Sequence, residues 1–393
     1  MLESPPAPRF ALFAKGFRPF FLLAAAWAVA IVPLWLFVQE GYVPLGAYLV
    51  PTDWHAHEMV FGFAAAVIAG FLLTAASNWT KRATATGPLL AALCALWIAG
   101  RAALFASDGL PPALVAAANL AFLPALALVL GRVIVGAKSR RNYGIVAVIV
   151  ALWLAQIVSH VGALEDDLVL QRRGTRLGVD LVLVLIAIIG GRVIPLFTRN
   201  ATGASDIGTP KWLDIAAIAS VLATAVADAA FLYGPILGLT AAIAAVLNAL
   251  RMLRWGTRYA AREPLLWVLH AGYAFLPLGL ALRALAELTG ALPASPALHA
   301  LTVGCIGVLI LAMMARVTLG HTGRPLRATR TLTVAFVLIV VTALLRAVGP
   351  MIGPLVSTSA IHSSSMVWSL AFLLYLVALG RALVTARIDG RPG

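Results

Sequence analysis

The residues best suited to chemistry are two histidines and a glutamate in the stretch Trp54-His55-Ala56-His57-Glu58-Met59. It runs straight into Val60-Phe61-Gly62-Phe63 and an apolar segment reaching Asn78. Ionisable groups at the edge of hydrocarbon are costly, and the default reading of one is a functional site facing a bundle interior. Imidazole is also the commonest protein ligand for haem iron and copper. His55 and His57 are two residues apart, so on a regular helix they face nearly opposite ways and at most one serves a given centre. Glu58 has three roles open to it: fixing a histidine tautomer, carrying a proton, or placing a negative charge at a helix N-terminus. The last needs least and is the expected one.

The elements that position these residues are membrane helices. Of 393 residues 62% are hydrophobic and 11% charged, and the mean hydropathy is +0.97. Successive apolar runs of about 20 residues read as transmembrane spans. Twelve are expected, at 17–38, 54–78, 88–106, 112–136, 143–163, 175–197, 212–232, 234–254, 264–287, 294–318, 330–349 and 357–381. Gly-Pro and Pro-Pro joints such as Gly87-Pro88, Pro111-Pro112 and Gly349-Pro350 separate them. The expectation is an all-α fold, a polytopic membrane bundle forming one integral membrane domain over 1–393. Within it a short N-terminal segment 1–16, with no signal-peptide cleavage pattern, leads into the helices, and a tail 382–393 ends it. Cys94 and Cys305 fall at different depths, so no disulfide is expected.

The formal net charge of +14 would point to nucleic acid in a soluble protein. Here most of it is a topology signal. Arg9, Lys15 and Arg18, the basic residues of the even-numbered loops, and Arg381, Arg387 and Arg391 all fall on one side. Both termini are therefore expected in the cytoplasm, with lipid rather than nucleic acid as the partner of these charges. Six basic residues disobey. Arg172, Arg173 and Arg176 share a loop with Glu165, Asp166 and Asp167 and receive no function. Arg101, Arg283 and Arg346 each lie in the outer part of a span. A guanidinium there either snorkels to the interface or finds a partner. Three at similar depth fit a shared anion, for which haem propionates would serve. Asp180 and Asp228 are outer-side acids within reach of a stray arginine.

Five of the seven histidines share that outer level: His55, His57, His160, His299 and His362. His57 and His299 are the best axial pair. His55 is a candidate for a second metal with His362 or His160, since a copper site needs two or three converging imidazoles. His362 alternatively sits wet in a helix-capping region before Ser363, and His160 beside Gln156 at the interface. His270 reads as a hydrogen-bonded core residue. A repeat supports the first pair: His57, Gly62, Thr80 and Arg82 recur in register at His299, Gly304, Thr322 and Arg324, a shift of 242. Arg192, Val193 and Thr198 meet Arg316, Val317 and Thr322 at a shift of 124. Spans two, six and ten would then head three four-helix units.

Four blocks carry a family resemblance. They are Lys15-Gly16-Phe17-Arg18-Pro19-Phe20-Phe21; His55-Ala56-His57-Glu58-Met59 with Phe61-Gly62-Phe63; Gly190-Gly191-Arg192-Val193-Ile194-Pro195 through Asn200; and His299-Ala300-Leu301-Thr302-Val303-Gly304 leading to Gly320-His321-Thr322-Gly323-Arg324-Pro325. Together they resemble the NnrS proteins of the bacterial nitric oxide response. The resemblance implies a multi-pass inner-membrane protein with haem and copper, linked to denitrification and to protection from nitrosative stress. It adds His321 to the metal candidates through its block, although its basic surroundings favour an interfacial role. A looser likeness, in topology alone, is to haem–copper oxidases. Spans six and seven hold no histidine, so the three-histidine copper site of those enzymes is missing.

The function expected is a haem- and copper-binding protein that binds or turns over nitric oxide near the periplasmic face, or limits its damage. The electron donor is unknown. Two other classes stay open: a cofactor-free secondary transporter, and a non-catalytic sensor or assembly factor for haem or copper.

Overall fold

The computed structural model describes residues 10–391; Met1–Arg9, with the basic residue Arg9, and Pro392–Gly393 at the end of the tail lie outside the described residues. All the long elements are helices, and the described residues form no strand beyond an isolated antiparallel bridge between Phe10 and Thr385. Twelve helices are long and apolar enough to cross a membrane: α1 Phe17–Gln39, α2 Pro51–Thr80, α3 Gly87–Phe105, α4 Pro112–Gly136, α5 Arg140–Leu164, α6 Leu168–Thr202, α7 Lys211–Ala229, α8 Pro235–Leu253, α9 Pro264–Thr289, α10 Ala294–His321, α11 Arg330–Ile352 and α12 Leu355–Val384. The protein is a multi-pass membrane protein. Each expected span has its helix, including the closely spaced pair α7 and α8, divided at Gly234. That glycine has φ +69, and Pro235 follows at the first helical position.

Proline and glycine punctuate as their chemistry demands. Pro51, Pro112 and Pro264 open helices, where a missing N–H costs nothing. α9 stops at Gly290, whose φ is +63. The main departure from regularity lies inside the spans. α2 passes through a π-helical segment at Glu58–Ala64, and α10 through another at Ala300–Gly307. Each begins at the residue after its histidine, His57 or His299, so the 242-residue repeat carries a shared backbone irregularity as well as shared residues. π segments are rare and concentrate at functional sites.

The chain divides into two compact units. The first comprises 1–175, 314–326 and 372–393, and the second 176–313 and 327–371. In the first, α1 packs on α2, α2 on α4, and α3 and α5 on α4. In the second, α8 packs between α7 and α9, and the π segment of α10 packs on α9 and α11. Glycine sets that last approach: a Cβ on Gly304 would overlap the Phe275 ring. Cys94 and Cys305 are buried free thiols.

Candidate metal and proton site

Helices α2, α3, α4 and α5 all contribute to a buried polar cluster in the first unit. α2 begins at Pro51, so Glu58 stands two turns inside the helix. It is fully buried. The expected role as a helix N-terminal charge is therefore corrected: no free N–H of the first turn is near it, and its partners are side chains. Glu58 Oε1 lies 3.2 Å from Nδ1 of His57. Glu58 Oε2 lies 2.8 Å from Nε of Arg101 on α3, a contact whose angle makes it electrostatic rather than an aligned hydrogen bond.

Arg101 is held on its other side. Its Nη2 donates to Asn119 Oδ1 at 2.7 Å and its Nη1 to the carbonyl of Phe61 at 3.3 Å. Asn119, on α4, donates to Val115 O. Gln156 on α5 donates to Asn119 O, at 3.3 Å. The π segment takes part through its backbone: besides Phe61 O, the carbonyl of Gly62 accepts from Trp97 Nε1 at 2.9 Å. Gly62 has to be small here, since a Cβ would stand 2.9 Å from Glu58 Oε2 and 3.3 Å from Arg101 Cδ.

His57 then turns its other nitrogen to a second histidine. Its Nε2 lies 3.3 Å from Nε2 of His160, on α5, and both rings are buried. Nδ1 of His160 lies 2.8 Å from the hydroxyl of Tyr48, in the loop between α1 and α2. Burial pushes the Tyr48 hydroxyl above the usual tyrosine range, so it keeps its proton. Asp108 accepts from Ala47 N at 2.8 Å and so holds that loop.

The donors and acceptors order themselves. A carboxylate only accepts, so His57 Nδ1 carries hydrogen towards Glu58, and His57 Nε2 presents a lone pair. With nothing between the rings, His160 must donate through Nε2 and accept from Tyr48 at Nδ1. The result is a directed chain from Tyr48 through His160 and His57 to Glu58. The alternative turns both Nε2 lone pairs inward onto a shared cation. Two imidazoles on one tetrahedral ion, at about 2.0–2.1 Å each, stand roughly 3.3 Å apart. Among the described residues no three His, Cys, Asp or Glu side chains converge as a ready-made metal site.

The other candidates fall elsewhere. His55 stacks on Trp35, ring centroids 4.4 Å apart, on the side of α2 away from His57, as the two-residue spacing requires. The expected grouping of His55 with His160 is not the one the fold makes; His160 faces His57, while His55 lies against Trp35. Asp53 binds Arg172 at 2.9 Å, which gives one residue of the mixed loop a partner. His321 ends α10 against the Phe17 ring, centroids 5.6 Å apart.

In the second unit, His299 is half-buried. Its Nδ1 bonds the carbonyl of Ser295 at 2.8 Å, and its Nε2 has no hydrogen-bond partner among the described residues. Arg346 stands within electrostatic reach of it and likewise has no partner among the described residues. Arg283 binds Asp180 at 2.9 Å and also Asp228. Of the three outer arginines, Arg101 and Arg283 thus have protein carboxylates. His362 is exposed and its Nδ1 bonds Thr358 O, one turn back. His270 has both nitrogens engaged, by Thr198 and Thr257 at 3.0 Å each, as a core histidine should.

Sequence reasoning missed one buried arginine of this unit. Arg251 was counted among the loop cations, yet it is 1% exposed. It binds Asp214 at 2.8 Å, the carbonyl of Ala187 at 2.8 Å and the Tyr273 hydroxyl at 3.2 Å. The available signal was Gly190-Gly191: a Cβ on Gly191 would overlap the Arg251 guanidinium.

With this geometry in place, comparison with known families is informative. The family model described as NnrS protein matches residues 11–387, nearly the whole chain. The chain belongs to the NnrS family. No curated protein matches it. The NnrS match spans both compact units and every block on which the resemblance rested. It is consistent with a role in the response to nitric oxide.

Proposed function

We propose that this NnrS protein acts on nitric oxide, or in sensing it, through a buried metal centre in a bacterial inner membrane, with both termini cytoplasmic. The observation that carries the proposal is the 3.3 Å separation of the His57 and His160 Nε2 atoms. It matches two imidazoles on one ion, and imidazole suits copper. The partners behind the rings fit as well: Glu58 at one Nδ1 and Tyr48 at the other are the outer groups that fix tautomer and orientation in histidine metal sites. Copper bound there would supply one-electron chemistry, which suits a radical such as nitric oxide.

In this reading His57 and His160 would hold the ion, and Glu58 and Tyr48 would orient their rings. Arg101 pairs with Glu58 at 2.8 Å, and Phe61, 5.0 Å from His57 between ring centroids, helps to exclude water. A haem does not fit between these two rings, because a 3.3 Å gap between the nitrogens leaves no room for a macrocycle. His299 suits a haem better. Its Nδ1 bond to Ser295 O leaves Nε2 for an iron, and Arg346 offers a guanidinium to a propionate.

The test is an absorption spectrum with copper and haem quantification on detergent-purified protein made with both supplied. The expected result is copper lost in His57→Ala and in His160→Ala, haem lost in His299→Ala, and a spectrum that responds to nitric oxide. Protein that carries neither group would leave the directed chain from Tyr48 to Glu58 as a proton path and favour a transporter.

A further inference from the structure

Arg18 is fully buried, yet only part of its guanidinium is satisfied. Its Nη1 donates to the carbonyls of Ala382 at 3.0 Å, Leu383 at 3.2 Å and Thr385 at 2.6 Å, closing the last turn of α12. Its Nε and Nη2, and the buried Nη1 of Arg324, have no hydrogen-bond partner among the described residues. Buried donors on charged groups are costly to leave unpaired, and a native structure that does so calls for an explanation.

The surroundings are mostly cationic. Lys15 and Arg387 stand within electrostatic reach of both Arg18 and His321, Arg324 of Arg18, and Arg381 of Arg324. The carboxylate in the group is Asp389, and both its oxygens are taken by Arg387, at 2.8 and 2.6 Å. Burial, then the charges of Arg387 and Arg18, pull the Lys15 ammonium below its usual range. Burial and Arg381 do the same to Arg324. An anion would relieve both.

The geometry points to a binding site for a phosphate-type oxyanion at Lys15, Arg18 and Arg324 in the first unit. A guanidinium matches such an anion through its fork, and a tetrahedral anion has enough oxygens for donors arriving from three side chains. The place is right for a headgroup: α1 begins here, and α10 and α12 end here. Gly323, at φ +75, turns the chain out of α10 so that Arg324 follows at once. The site draws on Lys15-Gly16-Phe17-Arg18 and Gly320-His321-Thr322-Gly323-Arg324, two blocks that the metal centre does not use. It stands whether or not that centre does.

The phosphate has two sources, a phospholipid headgroup or free inorganic phosphate. Full-length protein, delipidated in detergent, is titrated with dioleoylphosphatidylglycerol and separately with inorganic phosphate, and bound species are read by native mass spectrometry. Arg18→Gln would also remove three carbonyl bonds and endanger the fold, so Lys15→Gln and Arg324→Gln carry the test. Each should weaken binding about tenfold, the worth of one charge-assisted hydrogen bond. Binding of the lipid alone assigns a headgroup site, and binding of inorganic phosphate alone assigns a soluble anion. Equal binding by wild type and both variants, or none by any of them, overturns the proposal.

Discussion

Arg101 reaches from α3 to Glu58 on α2, Nε to Oε2 at 2.8 Å, with the two side chains 6% and 0% exposed. Removing one member of a buried pair leaves the other charge uncompensated, at a cost of about 3–5 kcal/mol. Arg101→Ala should therefore lower the thermal stability of the detergent-purified protein sharply. Replacing both residues by leucine should recover much of that loss, since an apolar pair carries no desolvation penalty. Additive effects in that double-mutant cycle would show that the contact does not matter to the fold.

Tyr48 supports His160 from behind, so Tyr48→Phe removes a hydrogen bond while keeping the ring. If copper binds at the two histidines, its affinity should fall by about 10–100-fold, as for other outer-group losses at metal sites. Burial raises the Tyr48 hydroxyl above its usual range. The group therefore stays neutral as pH rises through the ordinary tyrosine value, and the gap between wild type and variant should persist from neutral to mildly alkaline pH. A chelator competition at several pH values measures it. Equal affinities would mean that Tyr48 does not hold the ring.

Gly304 lies where the π segment of α10 meets Phe275 of α9, with no space for a Cβ. Gly304→Ala should destabilise by about 1–3 kcal/mol, the usual cost of overpacking. Phe275→Leu in the same chain should return part of it. Thermal unfolding of the single and double variants decides. A tolerated alanine would mean that the helices are free to separate there.

The twelve spans were legible because bilayer thickness imposes a length and a hydropathy that any such helix must show. Both Pro-opened helix starts and the α7–α8 break could be read from turn chemistry. Which histidine meets which was not legible. His160 was offered as a partner for His55, with His362 as the other choice, whereas the fold sets His160 against His57. Rotation of a helix about its axis is set by packing with its neighbours, and residue order does not contain it.

The arginines divide along the same line. Their distribution over the loops marks them as a topology signal, and that needs only residue type. Burial of Arg18 and Arg251 appears only in the fold, where Gly191 leaves room for the Arg251 guanidinium. Glu58 shows the contrast within one residue. Its place beside His57 follows from the sequence, since adjacent residues are bonded together. Its burial and its pairing with Arg101, 43 positions later, required α3 to fold back along α2, with the π segment widening the helix where the two meet. The sequence by itself determined the membrane helices, their order and the place of each polar group along its helix. Tertiary packing decided which polar groups face each other, because only close-packed neighbours can offset the cost of burying them.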